Sequence, residues 1–198
     1  MQVGAAIEAP VQALELHELE VTEPRTDFNP EVVAAEAAAR AGRAGDTTPA
    51  RALYRRFGTD PTRHRPSSEA LLRRVLRGDP LPRINSLVDV ANVISLRLQV
   101  PVGLYDLRLV EGDLTVRLGR DGESYAGLRR DTVNVAGRIC VADDRGPCGS
   151  PSADSDRTRI TTETERAAWI FFLPVAERDL RWTYELVARF GRGLVRLA

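Results

Sequence analysis

Residues 84–106, "INSLVDVANVISLRLQVPVGLYD", carry the pattern from which the rest of the chain is read. At about 100° per residue the first half spaces its apolar side chains for a helix. Asn85, Asp89 and Asn92 fall in one narrow stripe, with Ile84, Leu87, Val88, Ala91, Ile94 and Leu98 assigned to the other side. Solvated stripes elsewhere in this chain are built from Arg and Glu, so three short amide and carboxylate groups in line stand out. Such groups are directional hydrogen-bonders, and when buried they must find partners. The stripe is therefore expected to face protein and pin loops beside the helix.

Beyond Pro101 the period changes. "LYDLRLV" and "DLTVRLG" flank Glu111-Gly112 and read as a β-hairpin. "GESYAGL" and "GRICVAD" read as short strands, and "AAWIFFLPV" as a buried one from its aromatic and β-branched content. The closing "RDLRWTYELVARFGRGL" reads as a helix with Leu180, Tyr184, Val187 and Phe190 inward.

Upstream, "VQALELHELEVT" alternates enough for a strand, and "EVVAAEAAARAG" after Pro30 is a helix ended by Gly42. "TTPARALYRRFG" is a shorter helix stopped by Gly58. Ser67 or Ser68 is expected to cap "EALLRRVLRG", whose Leu72, Val75 and Leu76 point inward. Helices before and after a run of strands make a single α+β domain. Residues 1–50 form an acidic strand-and-helix portion packed on the same domain, and residues 51–198 its main body.

Composition narrows the chemistry. All 28 basic residues are arginine, which excludes Schiff-base and P-loop mechanisms, since both need lysine. The two histidines, His17 and His64, are isolated, so no metal site and no cofactor are expected. Cys140 and Cys148 make no disulfide framework, and the absence of a signal peptide or a membrane-length apolar run points to the cytoplasm.

Net charge is zero but unevenly spread: residues 1–50 hold nine acids and three Arg, residues 51–83 nine Arg and three acids. The basic block, with Arg55, Arg56, Arg63, Arg65, Arg73 and Arg77, suits contact with an RNA backbone. Pairing with the acidic N-terminal part explains it equally well. A second unusual stretch is "GPCGSPSADSDRTRITTET", residues 146–164, whose small residues admit a ligand and whose Asp, Ser, Thr and Arg supply donors and acceptors. An ordinary turn-rich surface loop has the same composition.

Taken in order, these motifs resemble the editing (B3/B4) domain of the phenylalanyl-tRNA synthetase beta chain. That family has a helix with Asp-x-x-Asn, then a Pro-x-His-x-aromatic-Asp turn, a strand pair and Gly-Glu. Asp89 and Asn92 match the helix, Pro101, Tyr105 and Asp106 the turn, and Gly122-Glu123 the Gly-Glu. "PSSEALLRRVLRG" and "GSPSADSDRT" are more similar to freestanding B3/B4 proteins. The resemblance spans about residues 54–172.

The resemblance implies a layered β/β/α fold with a mixed sheet flanked by helices. It also implies hydrolysis of the ester of a mischarged aminoacyl-tRNA in trans, with tRNA as partner and no DNA or membrane. Asp154, Ser155 and Thr158 would then be catalytic. Asn85, Asp89, Asn92, Gly103, Asp106, Gly149, Ser150, Arg157 and Thr161 would form the pocket, with Arg157 available for a phosphate or carboxylate. Asp154 is preferred to Asp156 because Asp156 fills the variable position of the Asp-Ser-x-Arg-Thr unit. One position departs from the family: Gly103 stands where the synthetase has His, and is expected to leave room for a bulkier acyl group or a differently placed adenosine. A non-catalytic RNA-binding module and a small-ligand-binding protein on the same fold are the alternatives.

Overall fold

The polar stripe is where the fold is pinned. In the computed structural model, which describes residues 3–128 and 131–197, Asn85 is the N-cap of a helix running Ser86–Leu98, and its Oδ1 accepts the Val88 N–H at 2.9 Å. Asp89, 1% exposed, accepts from Arg83 Nε at 2.6 Å and from the Ile84 N–H at 2.8 Å. Asn92 Nδ2 donates to the Pro82 carbonyl at 3.4 Å. The stripe thus ties down the "LPRI" segment that delivers the chain into the helix. Leu87, Val90, Val93, Ile94 and Leu96 are buried in the core. Ile84 is exposed, and Val88 and Ala91 sit beside the stripe rather than opposite it.

In chain order the elements are β1 (Val3–Ala5), β2 (Gln12–His17), α1 (Asn29–Arg40), α2 (Thr48–Arg56), α3 (Ser67–Leu76), α4 (Ser86–Leu98), β3 (Val102–Asp106), β4 (Leu114–Leu118) and β5 (Ser124–Ala126). Then follow β6 (Thr132–Asn134), β7 (Ile139–Asp143), β8 (Gly146–Gly149), β9 (Ala167–Phe171), α5 (Glu177–Leu186) and β10 (Leu194–Leu197). The fold is α+β. One sheet has the order β1-β4-β7-β8 and is mixed, because β1 runs parallel to β4. The other, β10-β2-β9-β3, is antiparallel, and β5 and β6 form a small ribbon.

β9 is buried along its whole length, with Trp169 facing Leu14 and Leu104 across the ladder. Packing on both sides of this strand explains its continuous apolar run. β2, from the first fifty residues, is an interior strand of the same sheet. α4 packs against α1, α3 and the π-helical turn Val187–Gly191 that extends α5. Among the described residues, no helix is long and apolar enough to cross a membrane.

Three expectations are corrected. β3 and β4 do not form a hairpin: β3 pairs with β9 and β4 with β1 and β7, in different sheets. Alternation shows that a strand has two faces but not which strand it pairs with. α3 is preceded by Pro66 with no side-chain cap, and the Ser67 and Ser68 hydroxyls find no partner among the described residues. Leu76 points to solvent, leaving Val75 as the buried residue of that face.

Candidate functional site

α4 turns one face toward a cleft of about 960 Å³, to which Asn85, Val88, Ala91, Asn92 and Ser95 contribute. The opposite walls come from α3 with Ala70 and Leu71, from β3 with Val102 and Leu104, and from the segment 152–162. About half of the lining residues are polar or charged, Glu23, Asp131 and Arg159 among them, and the rest are mainly aliphatic, a mixture able to hold and orient an organic ligand. Asn85 serves twice: its Oδ1 caps α4, and its Nδ2 donates to the Ile160 carbonyl at 3.3 Å, joining the helix to the loop across the cleft.

That loop is held by the free edge of β3. The Asp106 N–H donates to the Thr158 carbonyl at 2.9 Å, and the Leu104 N–H donates to the Asp154 carboxylate. Sealing an exposed strand edge is a structural service, yet it aims one carboxyl group into the cleft wall. Asp154 Oδ1 is withdrawn from solvent and has no hydrogen-bond partner among the described residues. Burial pushes the Asp154 carboxyl up to about 7, the Leu104 N–H opposing only in part. A carboxyl that exchanges its proton near neutrality beside a ligand-sized cleft can act as a general acid or base.

On the other face of β3, Tyr105 is fully buried, and its hydroxyl lies between Gly103 and Gly149. A Cβ on either glycine would overlap that hydroxyl. The expectation that Gly103 opens space for a larger acyl group is therefore corrected: Tyr105 fills that space. Val102 and Leu104 line the cleft, and strand alternation turns Gly103 away from it. Tyr105 Oη has no partner among the described residues, and burial, reinforced by the Asp154 charge, holds its pKa well above the ordinary value.

The other anticipated residues divide. Asn85, Asn92, Asp154 and Thr161 meet at the cleft. Asp89 lies behind it, spent on Arg83 and Ile84. Ser155 is buried, its Oγ accepting the Arg157 N–H at 3.1 Å, and Thr158 Oγ1 donates to the Cys148 carbonyl at 3.3 Å. Arg157 is not available to a ligand, since both its terminal nitrogens lie 2.8 Å from the Asp143 carboxylate. Asp106 is buried against Arg108 and Thr164, with Thr164 Oγ1 at 2.7 Å. Asp156 pairs with Arg159 at 2.7 Å. Ser150 faces away from the cleft, its Oγ accepting from Tyr125 Oη at 2.9 Å. Glu123, at the Gly-Glu match, takes both terminal nitrogens of Arg117 at 2.6 and 2.8 Å.

Of the six arginines assigned to RNA, Arg55 and Arg73 are exposed on α2 and α3 with no ion pair among the described residues. Arg56 pairs with Glu8 at 2.9 Å, and Arg77 approaches Asp79 at 3.6 Å. Arg63 and Arg65 belong to a smaller pocket of about 230 Å³ on the other side of residues 150–152. His64 and Arg138 also line it, and nothing in the sequence joins residues so far apart along the chain.

Comparison with known proteins places this geometry in a lineage. The family model described as the B3/4 domain matches residues 49–195. The phenylalanine–tRNA ligase beta subunit of Ralstonia nicotianae is 32% identical over 119 residues, covering 56% of this chain and 15% of the relative. That of Nitrobacter winogradskyi is 34% identical over 111 residues, covering 52% of this chain and 14% of the relative. This chain thus spans only a small part of the length of the curated relatives it matches. An N-terminal fragment of the phenylalanyl-tRNA synthetase beta subunit from Pyrococcus horikoshii aligns with a TM-score of 0.42 at 14% identity, over 56% of this chain and 42% of that one. The family match takes in α2 to α5, both walls of the cleft and the Asp154 loop, and on that extent the chain belongs to the B3/4 domain family.

Proposed function

We propose that this protein binds the aminoacylated 3′ end of a tRNA in the cleft and hydrolyses the ester of a wrongly attached amino acid in trans. The relatives bear the name of a tRNA ligase subunit, which supports a tRNA-related role. The observation that carries the reading is Asp154, a carboxyl balanced near pH 7 with an unpartnered Oδ1 at the wall of a 960 Å³ cleft. Ionised, Asp154 accepts a proton from a water held against the ester carbon as that water attacks. The proton then passes to the departing ribose oxygen, so acid and alcohol form and the carboxylate is restored. Asn85, Asn92 and Thr161 supply donors for the ester carbonyl and the ribose hydroxyls. The aliphatic walls at Leu71, Val88 and Leu104 take an apolar side chain.

A module that binds RNA without chemistry is favoured by a different observation. Ser155, Thr158 and Arg157 are all committed to internal bonds, so the loop offers few free groups beyond Asp154. The two readings separate in a deacylation screen with correctly and incorrectly charged tRNAs. Release of an amino acid from at least one mischarged tRNA, above the buffer rate, is the expected result. Binding of tRNA with no hydrolysis across the panel assigns the protein to the second reading.

A further inference from the structure

The smaller pocket carries an inference of its own. Its wall combines Arg63, His64, Arg65 and Arg138 with Tyr54 and Ser152, and no carboxylate lines it. Neither Arg63, Arg65 nor Arg138 hydrogen-bonds to a carboxylate among the described residues. Arg63 Nε lies 3.9 Å from Asp60 and Arg65 Nε 3.7 Å from Glu69, beyond bonding distance. Glu69 is already engaged by Arg51 Nη1 at 2.8 and 3.0 Å, and the buried Arg65 Nε has no hydrogen-bond partner among the described residues. Arg138 is half-buried, donating among the described residues to the Asn134 carbonyl at 2.9 Å and to His64 Nδ1 at 3.1 Å.

A guanidinium has no lone pair to offer, so in that last contact His64 Nδ1 accepts and its proton sits on Nε2. Burial, with the charges of Arg138 and Arg63, lowers the His64 pKa, the Asp60 charge opposing in part. The pocket therefore holds three permanent cations and a further N–H donor, while Asp60 and Glu69, the loose ion-pair partners of Arg63 and Arg65, stand outside its lining. Arg65 and Arg138 are half-buried and Arg63 is exposed; guanidinium groups so loosely paired are suited to a bound oxyanion, above all a phosphate, which they can grip through two nitrogens.

Position identifies the source of that phosphate. Ser152 lines both this pocket and the cleft, and the Ser67 N–H on the cleft side donates to the Pro151 carbonyl at 2.9 Å. A single ridge, residues 150–152, separates the two. We propose that the pocket is a phosphodiester subsite, engaged by the strand whose 3′ end enters the cleft. It would orient the strand rather than read its sequence. This assignment rests on the cleft receiving an RNA terminus, as proposed above.

The test titrates the full chain with the trinucleotide CpCpA, with adenosine, and with inorganic phosphate. The ring signals of His64, one of only two histidines, report by NMR. CpCpA is expected to shift the His64 signals and adenosine to leave them in place. Arg138→Gln should weaken CpCpA severalfold and lower the slope of log affinity against log salt by about 0.7, the value for one single-strand phosphate contact. Arg63→Gln, at a side chain 83% exposed, repeats the test where folding is not at stake. Unchanged CpCpA affinity and salt slope in both variants would overturn the proposal. A His64 response to inorganic phosphate but not to CpCpA would also overturn it, assigning the pocket to a free anion. Failure of deacylation with CpCpA binding intact counts against the cleft chemistry and not against this subsite.

Discussion

Asp154 carries a cost that its surroundings do not repay. In the fold its carboxyl stays protonated up to about pH 7, whereas in the unfolded chain it ionises near 3.8. Between those values the folded state holds the extra proton, so this residue makes stability fall as pH rises. Asp154→Asn, which keeps an acceptor for the Leu104 N–H, should raise stability at pH 8 by about 2–4 kcal/mol and flatten the loss between pH 4 and 7. Denaturant unfolding at several pH values measures this. A variant no more stable than wild type at pH 8 would place the carboxylate in a solvated setting. Asp89 is the contrasting case, buried and fully paired. Asp89→Ala leaves Arg83 and the Ile84 N–H without their acceptor and should cost about 1–3 kcal/mol in the same measurement. An unchanged midpoint would mean that the stripe on α4 does not anchor the preceding loop.

At the scale of elements, charge pairs set the corners of the mixed sheet. Glu123 follows the turn after β4 and reaches back to Arg117 within that strand, also accepting the Arg120 N–H at 2.6 Å. The Arg117 bonds lower its carboxyl from 4.5 to about 2. The stability it confers is complete above pH 4.5 and is lost as pH falls through about 2. Glu123→Gln should therefore be less stable than wild type at pH 7 by about 1–2 kcal/mol, with the two curves converging near pH 2. A constant gap at every pH would show packing, not charge, to be what the substitution removes.

Elements of this kind differ in how far the sequence discloses them. α4 was legible because helical spacing aligned Asn85, Asp89 and Asn92, although the role of Asn85 as its N-cap was not read from that spacing. β9 was legible from its unbroken apolar run. The partner of β3 was not, since Leu104 and Tyr105 alternate in the same way in a hairpin or at the edge of a sheet. Nor was the Arg157–Asp143 pair, which removed a supposed ligand contact: Asp143 ends a strand, Arg157 lies 14 residues further on in a polar loop, and nothing in the sequence joins them.

Across the whole molecule, the acidic first fifty residues and the basic block that follows do not neutralise each other. Among the described residues the ion pair joining them is Arg56–Glu8, between two exposed side chains, and such surface pairs contribute little. Charge imbalance was readable from composition, but its local arrangement was not, because Arg138 lies 74 residues from His64. Among the described residues Arg55 and Arg73 have no ion pair, and the pocket of Arg63, Arg65 and Arg138 sits across one ridge from the cleft. On the proposed function, such a surface would draw a polyanion toward the cleft that Asp154 lines. The most direct measurement is the single-turnover deacylation rate of a mischarged tRNA hydrolysed by the wild type, compared with Asp154→Ala and Asp156→Ala. A loss of about 100-fold or more for Asp154→Ala, with Asp156→Ala near wild type, is the predicted result. Wild-type turnover by Asp154→Ala would contradict the account.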